Sequence, residues 1–308
     1  MAIMISACSN NSNKGTKRTD TKTSGFATIV SEGCFAPIID EEIVVFEALN
    51  KDASINALYT GEAQAFDMLM RDSVRMIIAA RDLTQKEKDI ISSNNRQLRP
   101  RSQKIAYDGI ALIVNKENTD TLMSMTTLKK IMTGEITSWK QINPTSKYNN
   151  IEVFFDNPGS STVRYIKDSI CGDKPLYDGL RAQKSNQDVL DMVSKTPNAL
   201  GVIGVNWVSN PSDTLRLSFI DKITVMSMSR AEVPTYENSY KPFAAYLALN
   251  EYPLKREVYV ILTDLRETLP AGFVQFIAGD RGQRIILKAG LLPATRPTRL
   301  ISVKESFE

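Results

Sequence analysis

The chain contains no histidine. That removes the commonest general base, the commonest metal ligand and the usual partner of a serine nucleophile. Its three cysteines, Cys8, Cys34 and Cys171, are too far apart for a CxxC-type zinc site. Zinc chemistry and Ser-His-Asp catalysis are therefore disfavoured, whereas carboxylate or lysine catalysis stays open on composition. No lysine follows Ser161-Thr162 directly and GxxxxGKS/T is absent, so there is no P-loop; a GxGxxG dinucleotide fingerprint is absent too. No segment reaches the ~18 apolar residues of a membrane span. The net charge of +3 is small and scattered, and basic residues do not interleave with aromatics, which argues against nucleic acid.

What is present is an ordinary soluble composition, 42% hydrophobic and 24% charged, over 308 residues. That length can bury a large core, most readily as two lobes. The N-terminus reads MAIMISAC and then SNNSNKGTKRTDTKTSG. Ile5-Ser6-Ala7-Cys8 resembles a bacterial lipobox, in which the cysteine is lipidated, and the polar stretch behind it suits a flexible tether. A full secretory signal needs a charged start and roughly 7–15 apolar residues. The expectation is a signal truncated at its start, with Cys8 as the lipidation site and 1–24 as signal remnant plus tether.

From Gly25 onward strand and helix patterns alternate, which predicts α/β architecture with mainly parallel sheets. Helical spacing over 37–50 sets Ile39, Ile43 and Phe46 on one stripe and Ile38, Glu42, Val45 and Leu49 beside it. A buried strand is expected over 74–80, a long apolar strand over 105–115 and a strand over 151–155, with apolar strands also at 243–249 and 257–262. Thr84 with Glu87 forms a capping box. Helices are expected over 126–133, stopped by Gly134, over 186–195, and around 272–278 and 281–289. After Thr162 a straight helix is expected, carrying Cys171 roughly 13 Å along at 1.5 Å per residue. A Cys34–Cys171 disulfide is not expected; both read as buried thiols.

Ligands of open α/β sheets bind outside the carboxyl ends of strands, where helices begin. Three such junctions stand out: SEGCFAP (31–37), ARDLT (80–84) and DNPGSST (156–162). Two of them carry a glycine, small polar side chains and a helix start, where free N–H groups favour an anion. The other supplies Arg81, whose planar fork suits an oxyanion. Taken singly, each junction is as well explained by ordinary capping, since Asn157-Pro158 is a good cap pair by itself.

Several motifs in order carry a resemblance over roughly 26–295. They are EGCFAPII (32–39), MIIAARDLTQKE (76–87), IAYDGIALIVN (105–115), LKKIMTGEITSW (128–139), Ser160-Ser161-Thr162, NALGVIG (198–204), YPLKR (252–256) and GQRIILKAGLLP (282–293). The chain resembles the phosphate-binding proteins of ABC transporters, of the type II periplasmic-binding-protein fold. The resemblance implies a two-lobed α/β clamp, each lobe a mostly parallel sheet flanked by helices. Lobe 1 would be 25–107 plus 263–308 and lobe 2 would be 115–255, with 105–115 and 257–262 as hinge strands. It implies a monomeric extracytoplasmic protein, periplasmic and lipid-anchored. Its partners would be inorganic phosphate and the permease and ATPase of an importer, with no cofactor, no metal and no catalysis.

The implied ligand residues are Gly33, Cys34 and Phe35 from one lobe and Ser160, Ser161 and Thr162 from the other. Arg81 would neutralise charge, and Asp108 would accept the proton that phosphate carries and sulfate lacks. Charge-assisted hydrogen bonds worth about 1.5–3 kcal/mol each suffice for micromolar binding, near -8 kcal/mol. Two positions depart from the family pattern. Cys34 stands where members often have Ser or Thr, and Asp156 where many have Arg; Arg164 is the nearby cation that could compensate. Another tetrahedral oxyanion, a phosphate sensor or an envelope scaffold is the alternative reading. A cleft enzyme such as a phosphatase would need a nucleophile or metal that the motifs do not show.

Overall fold

The computed structural model describes residues 19–94, 99–210, 212–213, 218–264 and 267–295. Cys8 lies outside them. The chain enters on β1 (Ser24–Glu32), whose last residues are buried, and turns through a short 3-10 segment, Gly33–Phe35, into α1 (Ala36–Leu49). Pro37 in the first turn of α1 needs no N–H partner there and presets the helical φ. The inner face of α1 is Ile38, Ile39, Glu42, Ile43 and Phe46, the stripe its spacing predicts. Then come β2 (Asp52–Thr60), α2 (Glu62–Met70), β3 (Met76–Ala79) and α3 (Gln85–Asn94). The capping box of α3 is made in both directions: the Glu87 carboxylate accepts from Thr84 N–H at 2.8 Å, and Thr84 Oγ1 accepts from Glu87 N–H at 3.3 Å.

The long β4 (Arg101–Val114) spans roughly 45 Å at about 3.3 Å per residue and belongs to both lobes. Residues 110–114 begin the second lobe, which continues through β5 (Leu122–Ser124), α4 (Met125–Met132), α5 (Trp139–Ile142) and β6 (Glu152–Phe155). Next are α6 (Ser161–Tyr165), β7 (Arg181–Ala182), α7 (Asn186–Lys195) and β8 (Ala199–Gly204). The lobe is completed by β9 (Thr224–Val225), β10 (Ser227–Ser229), β11 (Ser239–Tyr240) and α8 (Ala244–Ala248). The chain returns on β12 (Lys255–Leu262), and the last elements among the described residues are α9 (Leu269–Ala278), α10 (Asp280–Lys288) and β13 (Leu292–Pro293).

The main sheet runs β2-β1-β3-β12-β4-β8-β6-β7. β1 is parallel to β2 and β3, and β6 is parallel to β7 and β8. The strands at the lobe junction are antiparallel. β12 pairs with β3 and with the first part of β4, and β8 pairs with the rest of β4. The crossing therefore falls at Gly109 and Ile110 on β4, and the return falls where Ile110 N–H donates to Leu254 O at 2.8 Å, just before β12. Helices cover both faces, so β4 is buried almost continuously from Ile105. One apolar core runs from Ile29, Phe46 and Phe273 in lobe 1 to Phe154, Val189 and Val208 in lobe 2. Separate cores sit around Trp139 in lobe 2 and Phe66 in lobe 1.

Two elements differ from the sequence-based expectation. The apolar run 243–249, expected as a strand, forms α8. Its AAYLA core has helix-forming alanine and leucine, and a propensity read over so short a run loses to that composition. The helix after Thr162 is not uniformly α-helical: α6 widens into a π-helical stretch, Ile166–Cys171, closed by Gly172 N–H donating to Lys167 O at 2.9 Å. Cys34 and Cys171 are both buried free thiols. Among the described residues, no helix is long and apolar enough to cross a membrane, and no cluster of three or more His, Cys, Asp or Glu side chains could hold a metal ion.

Candidate anion clamp between the lobes

The centre of the lobe junction is organised by a residue that the sequence reading assigned no role, Arg256. It lies on β12 directly opposite Asp108 on β4 in the ladder. Both side chains are buried, and Asp108 Oδ2 accepts from Arg256 Nε at 2.8 Å and lies 2.7 Å from Nη2. The remaining donors of Arg256 reach out of the sheet. Nη2 points to Cys34 Sγ at 2.8 Å, and Nη1 donates to Ser161 Oγ at 2.5 Å and Thr162 Oγ1 at 3.4 Å. The guanidinium carbon also stands 5.4 Å from the Phe35 ring centroid. A single planar cation thus contacts the turn after β1 in lobe 1 and the start of α6 in lobe 2.

Ser160 caps α6, its hydroxyl accepting from Val163 N–H at 3.3 Å. That hydroxyl donates to Asp156 Oδ1 at 2.6 Å, and Asn186 Nδ2 donates to Asp156 Oδ2 at 3.2 Å. Ser161 is bonded across the cleft: Glu32 Oε1 accepts from its N–H at 2.7 Å and from its hydroxyl at 2.5 Å. Further contacts join the lobes. Cys34 O accepts from Asn206 Nδ2 at 2.9 Å and Trp207 Nε1 at 2.8 Å, and Ala63 N–H donates to Gly159 O at 3.3 Å. Arg164 on α6 is ion-paired with the buried Glu62 of α2, which in turn accepts from Ala80 N–H at 3.0 Å.

A cavity of about 300 Å³ opens beside this network, lined by Glu32, Gly33 and Cys34 from one side and Asp156, Ser160 and Lys184 from the other. Burial raises the Asp108 carboxyl, with Arg256 opposing, and raises Asp156, with the Ser160 hydrogen bond opposing. Burial also pushes Glu32 up to about 8, Arg256 again opposing and Glu62 adding to the rise. The Cys34 thiol is held well above its ordinary range by burial, so it stays protonated. Gly204 lets β8 pack closely against the turn after β1. A Cβ there would stand 2.6 Å from Cys34 Sγ and 2.8 Å from Asn206 Oδ1.

Of the residues expected at the ligand, the structure brings Gly33, Cys34, Phe35, Asp108, Asp156, Ser160, Ser161 and Thr162 to this junction. Arg164 reaches the edge of it. Arg81 does not join them. Its guanidinium is held by both oxygens of Glu87, at 2.8 and 2.7 Å, by Asp82 O at 3.0 Å, and against the Phe66 ring at 3.6 Å. Glu87, six residues downstream, captures the cation locally, and the cation that stands at the junction is Arg256. Arg256 and Glu32 both lay inside motifs already noticed, YPLKR and EGCFAPII. The signal for the first is the strand-to-strand register that sets Arg256 against Asp108.

The family model of the PBP superfamily domain matches residues 16–281. The chain belongs to the PBP superfamily. Among its relatives, the phosphate-binding protein PstS of Borreliella burgdorferi is 26% identical over 269 residues, covering 83% of this chain and 86% of the relative. The phosphate-binding protein PstS of Bacillus subtilis is 24% identical over 314 residues, covering 99% and 95%. Among solved structures, a Clostridium perfringens protein with bound phosphate, described as a candidate phosphate ABC transporter substrate-binding protein, is 22% identical at a TM-score of 0.72. The match covers 88% of this chain and 100% of that one. These matches show the two-lobed PBP fold with its mixed α/β sheet.

Proposed function

We propose that this chain captures inorganic phosphate between its two lobes, outside the cytoplasm, for the permease and ATPase of an ABC importer. The observation that carries this reading is the buried Arg256 guanidinium bonded to the hydroxyls of Ser161 and Thr162 at the lobe junction, next to an interlobe cavity lined by Gly33, Cys34 and Ser160. The relatives named phosphate-binding protein PstS support it over most of the chain. The proposed clamp residues are Gly33, Cys34, Phe35, Asp108, Ser160, Ser161 and Thr162, with Arg256 in the role first given to Arg81. The lobes of the clamp are 25–107 with 263–308, and 115–255. Binding proceeds without transformation of the ligand, by a monomer anchored through lipid on Cys8.

Calorimetric titration of phosphate, sulfate and arsenate into phosphate-stripped protein tests the reading. Micromolar phosphate binding is expected; no heat and no change in melting temperature at millimolar phosphate would remove it. A second reading, a clamp for another tetrahedral oxyanion, is favoured by one observation. Asp156, a carboxyl, stands beside the hydroxyl cluster where many family members have Arg. Tighter binding of arsenate or sulfate than phosphate would select it. Labelling with a palmitate analogue in cells expressing the full upstream reading frame should mark Cys8.

A further inference from the structure

An anion held at the start of α6 needs the N–H and hydroxyl of Ser161, and both donors are already engaged. Glu32, the last residue of β1, accepts from each of them through Oε1, from the N–H at 2.7 Å. The same hydroxyl accepts from Arg256 Nη1 at 2.5 Å, so the Glu32 carboxyl is tied through Ser161 to the guanidinium of the junction. Glu32 belongs to lobe 1 and Ser161 to lobe 2, 129 residues apart in sequence. The other acids nearby have partners of their own: Asp108 has Arg256, Asp156 has Ser160 and Asn186, and Glu62 has Arg164. Beside this contact lies the cavity of about 300 Å³, with Glu32 in its wall and the exposed cation Lys184 in the same wall. Ser161, Thr162 and Arg256 do not line it. The donors and the cavity are therefore two adjoining places, and Glu32 touches both.

We propose that Glu32 is a built-in competitor for the anion seat: its carboxyl occupies the Ser161 donors next to Arg256, and phosphate enters by displacing it toward the cavity and Lys184. The proposal rests on the phosphate reading above. A backbone N–H and a hydroxyl carry one hydrogen each, so they cannot serve Glu32 and phosphate together with good geometry. Phosphate prevails in the exchange by its charge. Burial pushes the Glu32 carboxyl up to about 8 even with Arg256 opposing, so near neutral pH it is mostly uncharged and holds Ser161 with ordinary hydrogen bonds. Phosphate brings negative charge to the same donors and to Arg256, which makes its bonds charge-assisted. The displaced carboxyl then lies in the cavity that Lys184 also lines. Only the fraction of molecules with Glu32 turned away is ready to bind, so Glu32 sets the phosphate concentration at which the clamp fills.

The test is calorimetric titration of phosphate into the phosphate-stripped full chain near neutral pH, for wild type, Glu32→Ala, Glu32→Gln, Lys184→Ala and the double variant Glu32→Ala with Lys184→Ala. Glu32→Ala frees the Ser161 donors and should bind phosphate about tenfold more tightly than wild type. Glu32→Gln keeps an acceptor oxygen for those donors and should gain about threefold or less. Lys184→Ala should weaken binding about threefold in wild type and by less than about 1.5-fold in the Glu32→Ala background, because Lys184 acts on the displaced carboxyl. Infrared difference spectra, phosphate-bound minus free, should show a carboxyl band that moves in wild type and is missing in Glu32→Gln, which decides the displacement even if Glu32→Ala fails to fold. The proposal is overturned if Glu32→Ala binds phosphate no more tightly than wild type, the result expected of a carboxyl that contacts the bound anion, or if the Glu32 band stays in place. Equal losses from Lys184→Ala in both backgrounds would put Lys184 on the ligand itself and overturn the second position of Glu32. Wild-type binding with no gain in Glu32→Ala sinks the competitor alone; no binding by wild type or any variant at millimolar phosphate sinks the phosphate reading.

Discussion

Two arginine–carboxylate pairs, both next to strand ends, serve different ends. Arg256 and Asp108 face each other across a ladder, with side chains 2% and 0% exposed. Arg81 and Glu87 sit at the start of α3, 27% and 14% exposed. The Arg81 pair is local: six residues separate its partners, all its contacts stay in lobe 1, and Glu87 also completes the cap at Thr84. The Arg256 pair joins strands 148 residues apart in sequence and leaves donors free to touch Cys34, Ser161 and Thr162 from the two lobes. A guanidinium satisfied by one nearby carboxylate organises a helix start. One held by a single carboxylate oxygen, with donors remaining, can organise a binding site.

The strongest way to break this contrast is Arg256→Met. It removes the cation but leaves Asp108, and it strips Ser161 and Thr162 of a donor. Removing one partner of a buried pair costs about 3–5 kcal/mol, to be read from urea denaturation. Losing charge-assisted bonds of about 1.5–3 kcal/mol each should lower phosphate affinity by at least about 100-fold. Affinity kept within about tenfold of wild type would mean that Arg256 is structural alone.

Gly204→Ala strikes the packing around Arg256 and nothing near Arg81. The new Cβ would fall 2.6 Å from Cys34 Sγ and 3.5 Å from Asp108 Oδ2, so the turn after β1 has to move away from β8. Overpacking of this kind costs about 1–3 kcal/mol, and phosphate affinity should drop with it. A stable variant with unchanged affinity would show that the turn has slack which its contacts do not suggest.

Glu42 sharpens the contrast by showing burial of a charge-bearing group with no cation beside it. It lies on the inner face of α1, both carboxyl oxygens lack partners, and burial followed by the nearby Glu41 raises it to about 8. In the unfolded chain a glutamate titrates near about 4.3. Between those values the folded protein binds a proton that the unfolded chain has released, so stability falls as pH rises from about 4.5 to about 8 and then levels. Glu42→Gln should flatten that slope, which approaches about 1.4 kcal/mol per pH unit inside the window, measured by denaturant melts at several pH values. An unchanged slope would place the titration on another group.

The periodic segments were legible because local pattern and burial agree: the stripe of α1, the long apolar β4 and the capping box of α3 each follow from residues a few positions apart. The 243–249 run was not, since apolar content alone does not separate a short strand from an alanine-rich helix. At the site, Ser160, Ser161 and Thr162 announce themselves as a local turn before a helix. Arg256 does not, because its partner Asp108 is fixed by the register of β12 on β4, a property of two distant segments together. Glu32 escaped for a related reason. In EGCFAPII the glycine and the free N–H groups point to an anion, and only the approach of Ser161 from lobe 2 shows what the carboxyl beside them touches. A strand-end arginine such as Arg81 looks the same in sequence whether it faces a cleft or its own helix.

That last ambiguity gives the smallest predicted effect and the cleanest control. Arg81→Ala removes the bidentate bond to Glu87 and the stacking on Phe66, but Glu87 still accepts from Thr84 N–H and Oγ1. The cap therefore survives in part, and a partly exposed pair of this sort contributes about 1 kcal/mol or less. Phosphate affinity should stay within about twofold of wild type, a change below about 0.5 kcal/mol. Calorimetry beside Arg256→Met under one buffer condition makes the comparison direct. If Arg81→Ala weakened phosphate as much as Arg256→Met, the ligand would have to reach the α2–α3 edge of lobe 1, and the cavity beside Arg256 would not be the seat of the anion.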